Sequence, residues 1–496
     1  MCPGYRAASV PFLWLAILLP GCKDEELDAS GSDEGAVAGD ACEPTTAEGD
    51  EDLPCADGLA CEPTDNGYLC AAPIELRGTI IDGLTNAPIE GAVIAALDET
   101  GAPVGDAARS DALGRYTLRV SARRDPQGLL ADSVRWTLFA VAADYAAFPG
   151  GLRSPIPVDA TAPVEMTDDN EHTYTAIENA TTTVALLPLA DDRKGGFTVT
   201  GHVGGVQPGG TLVVAEGGVV PAPYTIADGS GAFVLFNVPE STATIRGYRQ
   251  GLDLAPASVA ATGDVDDLEL EVVTEGIDAL AAVDGSVSLV NAGGGLTTSV
   301  VLVPSSLFDP LLERGPVPFG LRAPSPPEAP SVSGAFAIAG VPRGDYHVLV
   351  AFENDGLVRD PDTGIAGTDI QQLSVPPSGA ATLDASFKVT AALEVIGPGA
   401  DAPEIVATAP TLRWVDDSSE DRYEVRVIDA LGNVVWEQLD VPGASGSGNV
   451  EVAYGGSALQ AGMYYQFRAT SIRETPNNTS PISRTEDLRG VFVFQP

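Results

Sequence analysis

The sequence predicts an all-β chain in which tandem β-sandwich domains follow a small disulfide-rich segment. Three observations predict it. At 496 residues the chain exceeds what one hydrophobic core organises, because domains run to about 100–150 residues. A hydrophobic content of 44% can fill several cores, while 55 Gly and 39 Pro along the length favour short strands and turns over long helices. Beyond Pro73, apolar and polar residues alternate between turn signals, the period of half-buried strands.

The formal charge of −44 weighs against nucleic acid and anionic headgroups as partners, since phosphate recognition needs clustered Lys and Arg. At the N-terminus, Arg6 precedes an apolar run from Val10 to Leu19. That run is too short to span a bilayer and has the length of a signal-peptide core, so residues 1–21 are expected to be removed. The run ends in Leu18-Leu19-Pro20-Gly21-Cys22, which resembles a bacterial lipobox, with Pro20 as a departure from its usual small residues. The resemblance implies lipidation of Cys22, and two or more acyl chains anchor firmly at about 0.8 kcal/mol per buried CH₂. Residues 23–52 hold hardly an apolar side chain, and 22–40 are expected to form an acidic, self-repelling tether.

Residues 41–72 carry Cys42, Cys55, Cys61 and Cys70 but few sizeable apolar side chains. Such a segment cannot fold by burial alone and is expected to be stapled by two disulfides. Three connectivities are open, and Cys42 with Cys61 and Cys55 with Cys70 is preferred. The spacings contain no Cys-x-x-Cys knuckle, which argues against zinc.

Next come Leu76 to Asp82, Ala87 to Ile94, and Ser110-Asp111-Ala112-Leu113-Gly114-Arg115-Tyr116-Thr117-Leu118-Arg119-Val120. In the last, Tyr116, Leu118 and Val120 share one strand face and Arg115, Thr117 and Arg119 the other. These residues resemble the carboxypeptidase regulatory-like domain, which implies a transthyretin-like sandwich over 73–194. A second copy, 195–277, runs from Thr198-Val199-Thr200-Gly201-His202-Val203 through Asp228-Gly229-Ser230-Gly231-Ala232-Phe233 to Val238-Pro239. A divergent third, 278–391, opens at Gly285-Ser286-Val287 and continues through Ser333-Gly334-Ala335-Phe336 to Val341-Pro342-Arg343-Gly344-Asp345-Tyr346. The Gly before each aromatic permits a tight turn. In the last region, 392–496, Pro410 to Trp414, Tyr423 to Val427 and Leu459 to Ala469 resemble a fibronectin type III domain. That resemblance implies a buried Trp414 and a corner tyrosine, Tyr465, whose hydroxyl returns to the backbone.

A carboxypeptidase-related resemblance invites a zinc peptidase, but the regulatory domain of that family is not catalytic, and His172, His202 and His347 lie far apart in sequence. No nucleophile elbow, phosphate-cradling loop or dinucleotide fingerprint is present. The acidic stretch with Asp355, Asp360, Asp362 and Asp369 is the best Ca²⁺ candidate, yet Ile365 stands where an EF-hand needs glycine and the closing Glu is missing. A solvated turn is therefore the favoured reading of that stretch, and no cofactor is expected, with Ca²⁺ the one candidate left open.

Two loops are candidates for recognition: Phe148 to Arg153, and the Pro-rich Pro310 to Pro330 with Leu311, Leu312, Phe319 and Leu321, where Arg314 and Arg322 add charge. The favoured alternative is that both loops cover sandwich edges and simply bury their apolar residues; as a recognition loop, the second is expected to be replaceable without loss of the fold. The combined expectation is a non-enzymatic, membrane-anchored lipoprotein of the cell envelope, periplasmic or surface-exposed. It would act as a scaffold or adhesion module for another envelope protein or polysaccharide. Carbohydrate binding is the alternative, and it needs exposed aromatics such as Trp136 or Trp436 in a chain with 6% aromatics. An enzyme with an unrecognised site is the residual one.

Overall fold

A computed structural model of the chain describes residues 36–43, 55–125, 127–240, 242–260, 262–290, 298–350, 358–359, 365, 369–417, 419–444 and 448–496. Among these, strands alternate with turns, and the only helical segments are three short 3₁₀ turns. The chain is all-β.

The N-terminal stub is a hairpin of Ala60–Thr64 and Gly67–Ala71. Its disulfides join Cys42 to Cys61 and Cys55 to Cys70, the preferred pairing. The tether, read as 22–40, gives up its last residues to this stub. Ala36 bridges to Cys55, Gly39 N–H donates to Cys70 O, and Asp40 closes a turn by accepting from Val37 N–H. The stub also docks on the first sandwich. There the carboxylate of Glu62, 2% exposed, accepts from Ala122 N–H at 2.6 Å and Ser121 Oγ at 2.9 Å.

In the first sandwich the opening strand Ile74–Asp82 pairs antiparallel with Arg115–Val120 and parallel with Thr173–Ile177 and Val184–Leu186. Arg115–Val120 alternates exposed and buried residues strictly, as its sequence requires. Against this layer lies Val93–Leu97 with Ala108–Arg109 and Thr137–Val141. Ile74, Leu76, Tyr116, Leu118 and Trp136 fill the space between.

The same plan recurs twice. Phe197–Val203 pairs antiparallel with Ala232–Val238 and parallel with Val265–Leu270, and Ala281–Val290 pairs antiparallel with Ala335–Val341 and parallel with Phe387–Ala391. The facing sheets are built on Leu212–Glu216 with Thr242–Tyr248 and on Val300–Pro304 with Gly344–Val350.

One device common to the three copies lies in the opening strands. Gly78, Gly201 and Gly285 stand directly opposite Tyr116, Phe233 and Phe336. A Cβ on Gly201 would meet Leu268 O at 2.1 Å and Phe233 Cζ at 2.7 Å, and one on Gly285 would meet Phe336 Cζ at 2.6 Å, so the ring shares the space at Gly201 with neighbouring backbone and fills it at Gly285. The turns before the aromatics diverge. Asp111 and Asp228 each accept two backbone N–H bonds from their own turn, Asp228 taking a third from Ala107, and Gly114 and Gly231 take positive φ. Ser333-Gly334 in the third copy lacks that aspartate.

The last sandwich sets Val395–Gly397, Thr411–Val415 and Asn449–Ala453 against a larger sheet ordered Glu404–Val406, Val491–Phe494, Tyr464–Thr475, Arg422–Asp429 and Val434–Val441. Trp414 is fully buried, edge-on to Tyr423 at 5.3 Å. The hydroxyl of Tyr465 accepts from Gln460 N–H at 2.8 Å, closing a corner over the strand start.

The sandwiches do not hang as separate beads. Phe139 and Val141 of the first pack on Phe236 of the second, and Leu212, Val214 and Tyr248 of the second join the core of the third. Leu152, Leu312 and Ile428 meet from the first, third and fourth. Leu84 of the first also packs on the core of the last.

Candidate functional site

The convergence of four sandwiches leaves a cleft of about 580 Å³ between them. Its walls come from loops the sequence placed far apart: 146–153 of the first sandwich, 219–224 of the second, 307–322 of the third and 430–432 of the fourth. Phe139, Phe236 and Leu187 supply buried apolar floor. Tyr224, on Tyr224–Ile226, donates its hydroxyl to Pro149 O at 3.3 Å, and burial pushes that hydroxyl up to about 12.

Four guanidiniums line this cleft, those of Arg153, Arg193, Arg314 and Arg322, against three carboxylates, Asp98, Glu99 and Asp309. The whole chain has 26 basic and 70 acidic residues, so the cleft reverses the charge balance of its surroundings. Arg153 is 7% exposed, lies over the rings of Phe148 at 4.9 Å and Tyr464 at 5.9 Å, and donates from Nη1 to Ala185 O. Burial lowers its pKa to about 10, which leaves it charged at neutral pH. Arg193 donates from Nη2 to Pro221 O, and burial lowers its pKa too, opposed by Asp309 and Asp192. Asp309 and Asp98 are themselves engaged as turn acceptors, from Leu311 and Leu312 N–H and from Thr100 and Ala102 N–H.

The two loops singled out from sequence both form this junction. Phe148, Leu152, Leu312 and Leu321 are buried, and Leu311 and Phe319 are partly buried, the latter under the guanidinium of Arg249 at 4.8 Å. Glu313, 9% exposed, binds Arg484 of the last sandwich at 2.8 Å. The expectation that residues 311–321 can be exchanged without disturbing the fold is therefore corrected: their apolar side chains are interdomain core. Sequence reading named three of the four cleft arginines but had no means of joining them, since nothing local marks residues 153, 193, 314 and 322 as neighbours.

The remaining candidates are scattered. His172 lies 3.4 Å from Asp168 and 3.9 Å from Asp57, His202 lies 4.0 Å from Glu269, and His347 stacks on Phe308 at 4.0 Å and contacts Gln372. These three sites stand on different sandwiches. Among the described residues the only grouping with metal-ligand spacing is Cys42, Cys55 and Cys61, whose sulfurs are committed to the disulfides. Of the calcium candidates Asp369 is exposed, while Asp355, Asp360 and Asp362 lie outside the described residues, as does Cys22. Trp136 is 2% exposed and cannot stack on a sugar, and Trp436 is half-buried against Tyr454 at 5.5 Å.

No family model matches the chain, and no curated protein matches it. Among solved structures it is similar to catechol 1,2-dioxygenase from Acinetobacter sp. ADP1, at 14% identity and a TM-score of 0.17 over 24% of this chain and 53% of that one. The chain thus spans about half the length of that enzyme. It is also similar to the shaft pilin SpaA of Lactobacillus rhamnosus GG, at 12% identity and a TM-score of 0.14 over 40% of this chain and 96% of that one. Similarity to the major pilin subunit BcpA of Bacillus cereus is 12% identity with a TM-score of 0.15, over 63% and 98% of the two chains. At these TM-scores the likenesses carry no argument about activity.

Proposed function

We propose that this chain is a lipid-anchored scaffold of the cell envelope that presents a packed set of β-sandwiches to another envelope macromolecule and performs no catalysis itself. The supporting observation is the interdomain packing: one sandwich seals against the next through buried apolar contacts, which gives a recognition surface whose parts are fixed relative to one another. The short apolar run before Cys22 and the acidic composition after it supply the anchor and the spacer. No helix among the described residues is long and apolar enough to cross a membrane, so in this reading attachment rests on acylation.

The test is metabolic fatty-acid labelling of the chain and of Cys22→Ser in the native host, followed by crosslinking in intact cells. Labelling of the wild type, its loss in Cys22→Ser and recovery of a crosslinked envelope protein or polysaccharide are expected. Equal labelling of both chains would overturn the anchor, and turnover of a captured small molecule would overturn the non-catalytic reading.

A further inference from the structure

We propose that the central cleft binds a small organic carboxylate with an apolar, ring-sized body. This goes beyond the scaffold reading and does not depend on how the chain is anchored.

Volume is the first ground. About 580 Å³ falls within the roughly 300–1,000 Å³ of small-molecule sites, which recur at domain interfaces and combine apolar walls with a few placed polar groups. The second ground is charge. In a chain of −44, chance would line a cleft with carboxylates. Here four guanidiniums stand against three carboxylates, of which Asp98 and Asp309 are already engaged by backbone N–H groups, and charges beyond a Debye length of about 8 Å are screened while those within the cleft act at short range. A monoanion therefore experiences the arginines more than the distant acidic surface.

Pre-organisation is the third ground. Arg153 is clamped between the Phe148 and Tyr464 rings, contributed by two different sandwiches, so its guanidinium is fixed before any ligand arrives. Both Arg153 and Arg193 are tied to main-chain carbonyls, Ala185 O and Pro221 O, which orient them without cancelling their charge. A guanidinium has five N–H donors in a planar fork that suits a carboxylate. The rings of Phe139, Tyr224 and Phe236 supply the apolar wall that favours a hydrophobic body over a hydrated inorganic ion.

The experiment is calorimetric titration of the full chain with three probes of one shape: naphthoate, the cationic naphthylmethylammonium and the neutral naphthylmethanol. Naphthoate is expected to bind, and to bind at least about tenfold more tightly than the other two. Arg193→Gln keeps a donor for Pro221 O while removing the charge, and should weaken naphthoate about tenfold with little effect on naphthylmethanol. Arg413→Gln, on an exposed strand position away from the cleft, should change nothing. No detectable binding of naphthoate, tighter binding of the cation, or equal naphthoate affinity in Arg193→Gln and the wild type would each overturn the proposal.

Discussion

Replacing Gly78 by Ala tests the pairing of glycine with aromatic that organises the repeated sandwiches. A methyl at Gly78 would lie 2.0 Å from Thr182 O and 2.9 Å from Tyr116 Oη, and the same two oxygens form a buried hydrogen bond of 2.6 Å. The obstruction is backbone held by the Asn179 capping box, so it cannot rotate aside. Relief requires the opening strand to move away from the turn. Overpacking of this kind costs about 1–3 kcal/mol, and losing a buried hydrogen bond costs about 1–3 kcal/mol more, so Gly78→Ala should destabilise the first sandwich by about 2–6 kcal/mol.

Gly285→Ala is the internal comparison. Its methyl meets only side-chain atoms, Phe336 Cζ at 2.6 Å and Leu383 Cδ1 at 2.9 Å, which shift for about 1–2 kcal/mol. Gly334→Ala meets nothing within 4 Å and should fall within about ±0.5 kcal/mol. A multidomain chain does not melt as two states. The assay is therefore hydrogen exchange read on peptides of each sandwich, in which Gly78→Ala should deprotect Ile74–Asp82 and its partners Arg115–Val120, Thr173–Ile177 and Val184–Leu186 while the other sandwiches keep their protection. Equal protection in Gly78→Ala and Gly334→Ala would refute the reasoning.

Other expectations follow from the same contacts. Non-reducing peptide mapping should recover Cys42 linked to Cys61 and Cys55 linked to Cys70, and any other linkage would contradict the stub. Trp414→Ala should cost about 3–5 kcal/mol in the last sandwich and half-buried Trp436→Ala clearly less, read by exchange in Thr411–Val415; similar losses would contradict the core assignment. Burial holds the Glu62 carboxyl above its ordinary value of 4.5, despite the opposing bonds from Ala122 and Ser121. A raised folded-state pKa means that its stability contribution is complete below 4.5 and is lost as pH rises through the folded value. As pH rises above 4.5, the resistance of the stub to unfolding should therefore fall in the wild type relative to Glu62→Gln, and parallel pH profiles would contradict this. Leu312→Ala should cost about 2–5 kcal/mol and raise exchange in 148–153 as well as in its own loop, because Leu152 shares the cluster; deprotection of the loop alone would contradict a shared junction.

What was legible in the sequence was local. The alternation of Arg115–Val120, the Gly before Tyr116 and Phe233 and the poverty of apolar residues around the cysteines are all consequences of neighbours along the chain, and each led to the structure observed. Trp414 and Tyr465 were named through the resemblance to a fibronectin type III domain, with which the strand period of Tyr465, Phe467 and Ala469 agrees. Gly78 opposite Tyr116 was not, since the register between two strands depends on the turns joining them. The junction was half legible for a related reason: burial of the apolar residues in the two loops was the favoured reading, but that Leu152 and Ile428, more than a hundred residues away on either side, are what Leu312 packs against could not be read from its neighbours. The cleft and its arginines are a product of that assembly.

Small-angle X-ray scattering of the chain in solution tests most directly whether the sandwiches form one body. Burial of Leu84 on the last sandwich, with the Leu152, Leu312 and Ile428 cluster, brings the first and fourth sandwiches together. The radius of gyration should then lie near the roughly 23 Å of a compact body of this length. A rod-like profile with a radius about twice that value, as four sandwiches in line would produce, would contradict the packed arrangement and with it the cleft.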